Sequence, residues 1–190
     1  MTDRLVIGIS GASGVIYGVR LLELLADHAV ETHLVMTPSA ELTLAHETDL
    51  KAADVKVLAD RVYNPRDMAA AIASGSFRTC GMVVAPCSVR SLAEIAWGAT
   101  TGLLTRAADV TLKERRRLVL LVRETPLHAG HLRAMAAAGE NGAVIMPPVP
   151  AFYARPRSLE AMIDHTLGRA LDLFDIETGV VRRWGGPEQD

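Results

Sequence analysis

Arg106 and Lys113 stand seven residues apart in an amphipathic run. That spacing is about two helical turns, so both cations leave one face and can close on one small anion. Arg123 and Glu124 follow the apolar run Leu118 to Val122 and precede Thr125-Pro126. Charges at such a place need a partner or a ligand, because part of each side chain leaves water; the pair is either a structural ion pair or part of a site. Gly11-Ala12-Ser13-Gly14 is a small-residue turn between an apolar run and an amphipathic one. Its N–H groups and the Ser13 hydroxyl suit a phosphate at a helix N-terminus, unless the turn serves only close packing. Ser88 and Ser91 frame another helix start, where hydroxyls cap the backbone or serve a ligand. Arg115 to Arg117 read as helix-end charges that complement the dipole.

The first turn departs from the dinucleotide fingerprint, since Ser13 fills the second glycine slot of G-x-G-x-x-G. Met36-Thr37-Pro38 also lacks the acidic residue that grips an adenosine ribose. NAD is therefore disfavoured and a mononucleotide such as FMN favoured. The six histidines show no H-x-x-x-H or H-E-x-x-H spacing, and His128 and His131 share a face without a third ligand nearby. No metal is expected. Cys80 and Cys87 form neither a disulfide framework nor a C-x2-C hook and are expected to be buried thiols.

Those residues must be held by strands and helices, and their order is legible. Leu5–Ser10, Val30–Met36, Gly81–Pro86, Leu118–Val122 and Ala143–Met146 are apolar, strand-like runs, with Asp54–Leu58 a weaker candidate. Between them lie helical patterns over Gly14–His28, Pro38–Thr48, Pro65–Ser74, Ser88–Trp97, Thr101–Arg116 and His128–Gly139, and a last helix carries Leu159, Ile163, Leu167 and Leu171 on one stripe. Strands apolar throughout, alternating with amphipathic helices, require a parallel sheet covered on both faces. The expected fold is α/β, a doubly wound Rossmann-like parallel sheet in a single domain over residues 1–177, with a tail over 178–190. In such sheets ligands bind beyond the carboxyl ends of the strands, so the residues just after each strand are where a site is expected. The 49% hydrophobic and 22% charged residues are ordinary globular usage, and the net charge of -2 offers no bulk pull toward nucleic acid or an anionic membrane. No apolar run approaches a membrane span or signal-peptide core, so the expected location is cytoplasmic.

Taken in order along the chain, several blocks have a familiar arrangement. Gly11-Ala12-Ser13-Gly14 with Tyr17-Gly18, Glu47-Thr48, Ala73-Ser74-Gly75-Ser76, Ala85-Pro86-Cys87-Ser88, Thr105-Arg106, Leu112-Lys113-Glu114-Arg115, Arg123-Glu124-Thr125-Pro126, Phe152-Tyr153, Gly168-Arg169 and Arg183-Trp184-Gly185 together resemble the UbiX-type flavin prenyltransferases. The resemblance implies a flavodoxin-like subunit that transfers a dimethylallyl group from dimethylallyl monophosphate to N5 and C6 of reduced FMN, giving prenylated FMN for UbiD-type decarboxylases. It puts Gly11, Ala12, Ser13, Ser88, Val89, Arg90, Ser91 and Arg123 on the flavin, with Thr37 standing where the family usually has Ser. It puts Ser74, Arg106, Lys113, Tyr153 and Arg169 on the prenyl phosphate, Glu47 and Glu124 beside the transfer, and Trp184 on the wall. It implies metal independence and a homo-oligomer, a dodecamer, with sites shared between subunits. Two rivals stay open. A flavin-dependent cysteine decarboxylase would need a P-A-S-A-N-x stretch where Pro86-Cys87-Ser88-Val89 stands. A non-catalytic FMN-binding protein would leave Lys113, Arg169 and Glu124 without a task.

Overall fold

The structure, a computed structural model, describes residues 3–185; residues 186–190 of the expected tail lie outside it. Six strands, β1 (Asp3–Ile9), β2 (Val30–Met36), β3 (Arg61–Tyr63), β4 (Gly81–Cys87), β5 (Arg117–Val122) and β6 (Ala143–Ile145), form one sheet in the order β3-β2-β1-β4-β5-β6. Every pairing is parallel. The order reverses at β1, whose neighbours are β2 and β4, so the doubly wound sheet has its switch point between β1 and β4. The helices α1 (Ile16–Leu25), α2 (Pro38–Glu47), α3 (Ala52–Lys56), α4 (Val89–Ala96), α5 (Leu103–Lys113), α6 (Ala129–Glu140) and α7 (Leu159–Asp172) cover both faces.

Every residue of β4 is buried, as a central strand covered on both sides must be. Its alternate side chains feed two cores. Val83 and Ala85 join Leu21, Leu22, Leu44, Val55, Leu167 and Leu171 of the α1, α2, α3 and α7 face. Met82, Val84 and Cys87 join Leu92, Leu104, Ala108 and Ala138 of the α4, α5 and α6 face. Among the described residues no helix is long and apolar enough to cross a membrane.

Two expected elements are corrected. Asp54–Leu58 is not a strand: Ala52–Lys56 is the short helix α3, whose Asp54 carboxylate accepts the Lys51 N–H at 2.8 Å, and the third strand is Arg61–Tyr63. Pro65–Ser74 is not a helix but a chain of turns ending in one 3-10 turn at Ala71–Ala73, because the side chains of Asn64 and Asp67 take the backbone N–H groups of Arg66 and Ala69.

At the switch point the ladder between β1 and β4 runs out after Gly8 and Val84. Ser10, 1% exposed, takes over: its N–H and hydroxyl both donate to the Pro86 carbonyl, at 3.2 and 2.9 Å, and its oxygen accepts the Ser88 N–H at 2.7 Å. Ser10→Ala removes a donor from Pro86 and strands the Ser88 N–H. It should cost about 1–3 kcal/mol, read as a melting temperature lowered by roughly 2–10 °C in a thermal unfolding scan.

Candidate active site

The carboxyl ends of β1, β2, β4 and β5 converge on one mouth. After β1, the Gly11–Gly14 turn delivers the chain to α1, whose first residue follows Val15, a position with no side-chain cap. The cap comes from 32 residues away: Glu47, at the end of α2, accepts the N–H groups of Gly14 at 2.8 Å and Val15 at 3.1 Å. Burial pushes the Glu47 carboxyl up, but hydrogen bonds from the Ser13 hydroxyl and these two amides, with the charge of Arg123, outweigh it and hold it below the usual range. The N-terminus of α1 is thus already matched to an anion, so the turn is not a free phosphate cradle. Arg123 is fixed by its N–H to the Cys87 carbonyl at 3.0 Å, and its charge opposes the burial that pushes the Tyr17 phenol up. Glu124, half-buried beside it, accepts the Thr125 N–H at 2.9 Å.

Between the ends of β2 and β4 opens a cleft of about 440 Å³, lined by Thr37, Ser39, Arg66, Ser88, Arg90 and Ser91 among others. Two helices begin in it. Thr37 caps α2 through the Ala40 N–H at 3.2 Å and meets the Ser39 hydroxyl at 3.0 Å. Ser88 caps α4 through the Ser91 N–H at 3.2 Å and meets the Ser91 hydroxyl at 3.1 Å. These hydroxyls therefore cap and line the cleft at once. Gly11 closes the cleft toward the first turn, where an added Cβ would lie 2.5 Å from Ser39. The space a side chain would fill there is taken by Ser39, so the turn packs directly on the start of α2, and the paired helix starts with Arg66 and Arg90 suit a phosphate. The residues fit a mononucleotide. Ser39 and Arg66 were not singled out in the sequence; a hydroxyl just after a strand end was the available signal for the first, and nothing local marks the second.

The other expected residues fall into two groups away from this mouth. Tyr153, His165 and Trp184 form one: the Tyr153 ring meets His165 edge-on at 5.7 Å and Trp184 edge-on at 5.9 Å. His165, 6% exposed, places Nε2 3.4 Å from both the Tyr153 hydroxyl and the Arg182 carbonyl, tying the tail back along α7. Arg169 and Arg183 share Asp172 at 2.7 and 2.9 Å. The second group lies on α5. Arg106 donates to the Ala73 carbonyl at 3.2 Å, and Lys113 pairs with Glu114 beside Gly75, so both cations face the Ser74-Gly75-Ser76 segment. Lys113 precedes β5 while Glu124 follows it, so the strand puts about 20 Å between them in one protomer.

Cys87 is fully buried and its thiol is pushed up to about 12 by desolvation, which leaves no nucleophile there. Among the described residues no group of three or more His, Cys, Asp and Glu side chains converges on a metal position.

Comparison with known proteins gives the arrangement a family context. The Flavoprotein family model matches residues 2–185. The flavin prenyltransferase UbiX of Escherichia coli K12 is 59% identical over 186 residues, covering 96% of this chain and 98% of that protein. The crystal structure of AnUbiX in complex with FMN and dimethylallyl pyrophosphate superposes with a TM-score of 0.97 at 52% identity, covering 99% of this chain and all of that one. A dodecameric FMN-dependent UbiX-like protein of Escherichia coli O157:H7, described as a decarboxylase, has a TM-score of 0.94 at 48% identity, covering 96% of this chain and 100% of that one. The shared fold is the flavodoxin-like, Rossmann-type one.

The Glu47 cap titrates with a defined sign. Its folded pKa lies below the unfolded value, so its stabilisation is complete above about pH 4.3 and is lost as pH falls through the lowered folded value. Glu47→Gln should lower stability at pH 7 by up to about 1 kcal/mol, solvent screening included. Denaturant melts of both proteins should converge as pH drops toward about 3, where wild-type Glu47 is itself protonated.

Proposed function

The chain belongs to the Flavoprotein family and, within it, to the UbiX flavin prenyltransferases, and from that premise we propose that it joins a dimethylallyl group to N5 and C6 of reduced FMN, with dimethylallyl monophosphate as the donor. One observation carries the reading: besides the mononucleotide cleft, and at the opposite edge of the sheet, the protein keeps a second phosphate-type group, Arg106 and Lys113 facing the Ser74–Ser76 segment, for which flavin binding alone has no use.

Bound reduced FMN supplies the nucleophilic nitrogen, so that an N5–C bond forms as the allylic C–O bond breaks and the electron pair leaves with phosphate. What the protein contributes is position and charge. The cleft of Thr37, Ser39, Arg66, Ser88, Arg90 and Ser91 takes the flavin phosphate, and Gly11 to Ser13 with Val89 border the ring. Arg123, set by the Cys87 carbonyl, faces the ring from the β5 end. Fixed cations and hydroxyls, Arg106, Lys113, Arg169, Tyr153 and Ser74, stabilise the charge that develops on the departing phosphate, the part a metal would otherwise take. Glu124 delivers a proton to that phosphate; on ring closure the prenyl C=C bond breaks as its inner carbon takes a proton from the phosphate and its outer carbon bonds C6, and the phosphate then takes the C6 proton. Trp184 and Tyr153 give the prenyl chain a dry wall.

Lys113 and Glu124 meet only if they come from different subunits, because β5 separates them within one. The protein therefore works as a homo-oligomer, a dodecamer like its Escherichia coli O157:H7 relative. Its product is a modified flavin released to a UbiD-type decarboxylase, and its place of work is the cytoplasm. A cysteine decarboxylase reading finds Pro86-Cys87-Ser88-Val89 where its own stretch would stand.

The deciding experiment supplies reduced FMN and dimethylallyl monophosphate, without metal, and reads the mass of the flavin. A dimethylallyl adduct is expected, and unchanged FMN would exclude the proposal. Lys113→Leu should slow transfer about a hundredfold with FMN affinity within about twofold of wild type. Glu124→Gln should slow it about 100- to 10,000-fold. Co-expressing the two variants provides the test of shared sites: mixed oligomers should regain transfer that neither variant shows alone.

A further inference from the structure

The basic run after α5 contains one side chain that does not behave as a helix-end charge. Lys113, Glu114, Arg115 and Arg117 are exposed, whereas Arg116 is half-buried. Its guanidinium donates to the Gly75 carbonyl at 2.7 Å and to the Phe77 carbonyl at 2.8 Å. The two bonds bracket Ser76, whose hydroxyl lies 2.9 Å from that of Ser74. We propose that Arg116 is a positioning residue for prenyl transfer: it fixes the Ser74-Gly75-Ser76 backbone so that both hydroxyls and Lys113 present one preformed group to the donor phosphate.

The local structure explains why Arg116 reaches there. The helix α5 stops in a Schellman turn, with Arg115 left-handed at φ 58, the Arg115 N–H on the Leu112 carbonyl at 2.9 Å and the Arg116 N–H on the Thr111 carbonyl at 2.9 Å. That turn swings the next side chain off the helix axis and onto the segment that crosses from β3 to β4. A planar fork with parallel donors can hold two carbonyls in one plane, which an ammonium cannot do with the same rigidity. The far side of the segment is fixed too, because the Phe77 ring is held by His33 at 5.1 Å and by the Arg4 guanidinium at 4.8 Å. Lys113 and Glu114 press on the near side so closely that a Cβ on Gly75 would lie 2.7 Å from Lys113 Nζ. Hydroxyls on an unsupported connecting segment would have to be ordered by the substrate, at a cost in affinity; Arg116 removes that cost beforehand.

The inference rests on the reading of Ser74, Arg106 and Lys113 as the donor-phosphate group, and the test separates the two. Arg116→Ala, Ser74→Ala and Lys113→Leu are compared in steady-state transfer with dimethylallyl monophosphate, alongside FMN affinity, oligomer size and hydrogen exchange. Arg116→Ala should raise KM for the donor about tenfold or more, leave the FMN Kd and oligomer size unchanged, and speed exchange at residues 74–77 alone. A wild-type KM, or a loss spread equally over FMN affinity and assembly, overturns the positioning role. If Arg116→Ala does not assemble, Arg116→Lys decides: it keeps the charge and loses the fork, and a wild-type KM for it overturns the role equally. Should Ser74→Ala and Lys113→Leu also leave KM unchanged, the phosphate reading itself has failed; should they raise it while Arg116→Ala does not, only the role of Arg116 falls.

Discussion

The Ser10 hydroxyl is the joint on which the mouth of the sheet depends. Two parallel strands diverge at a switch point, and the backbone ladder that aligns them has to stop where the crevice begins. Proline 86 brings no N–H to continue it. One buried residue, whose N–H and hydroxyl both donate to the Pro86 carbonyl and whose oxygen accepts the Ser88 N–H, carries the alignment past that point. The start of α4 lies immediately beyond, at Ser88, so this contact ties it to the end of β1. A cleft built this way is preformed, which is what a ring and a phosphate on opposite sides of the switch point require.

The parts of the fold that could be read from residues were those whose burial leaves a mark on composition. Strands such as Gly81–Cys87, covered on both faces, are apolar throughout and unambiguous. The edge strand Arg61–Tyr63 carries no such mark, because Arg61 and Val62 are exposed and its three residues are too few to show a period. Val55 and Leu58, which suggest a strand in isolation, are the buried side of a single helical turn and its exit. The site divides in the same way. Strand-end groups such as Ser88, Arg123 and Glu124 are legible because α/β topology says where to look. Pairings across the chain are not: Glu47 on the amides of Gly14 and Val15, and His165 between Tyr153 and the tail, depend on tertiary approach that no local spacing encodes.

The sheet also bears on the proposal that a site is shared between copies. Helices in this fold run antiparallel to the strands they cover, so a cation at the end of α5 lies at the edge of the sheet opposite to the mouth. Lengthening a side chain cannot bridge about 20 Å of strand. On the proposed reading each protomer offers a mouth at one edge and a phosphate-type group at the other, a heterologous arrangement that needs a neighbouring copy. Exposed Trp97, Phe152 and Trp184, at 71%, 76% and 69%, are large apolar surfaces for a monomer and fit such burial between copies.

On the proposed reading three negative charges share this site: the flavin phosphate, the donor phosphate and the Glu47 carboxylate. The structure separates their countercharges. Glu47 uses the α1 N-terminus and the field of Arg123. On the same reading the flavin phosphate takes the paired starts of α2 and α4, whose cleft Arg66 and Arg90 line. On the proposed reading the donor phosphate meets α5 of a neighbouring copy, with Arg116 holding the backbone and Lys113 supplying the charge. Because like charges within a few ångströms raise each other's energy by several kcal/mol in a dry cleft, placing the third countercharge on another subunit is a physical reason for a shared site as well as a geometric one. A monomer carrying all three cation sets at one mouth would repel itself in the absence of its ligands, whereas an assembled one brings the last set in already paired with Glu114.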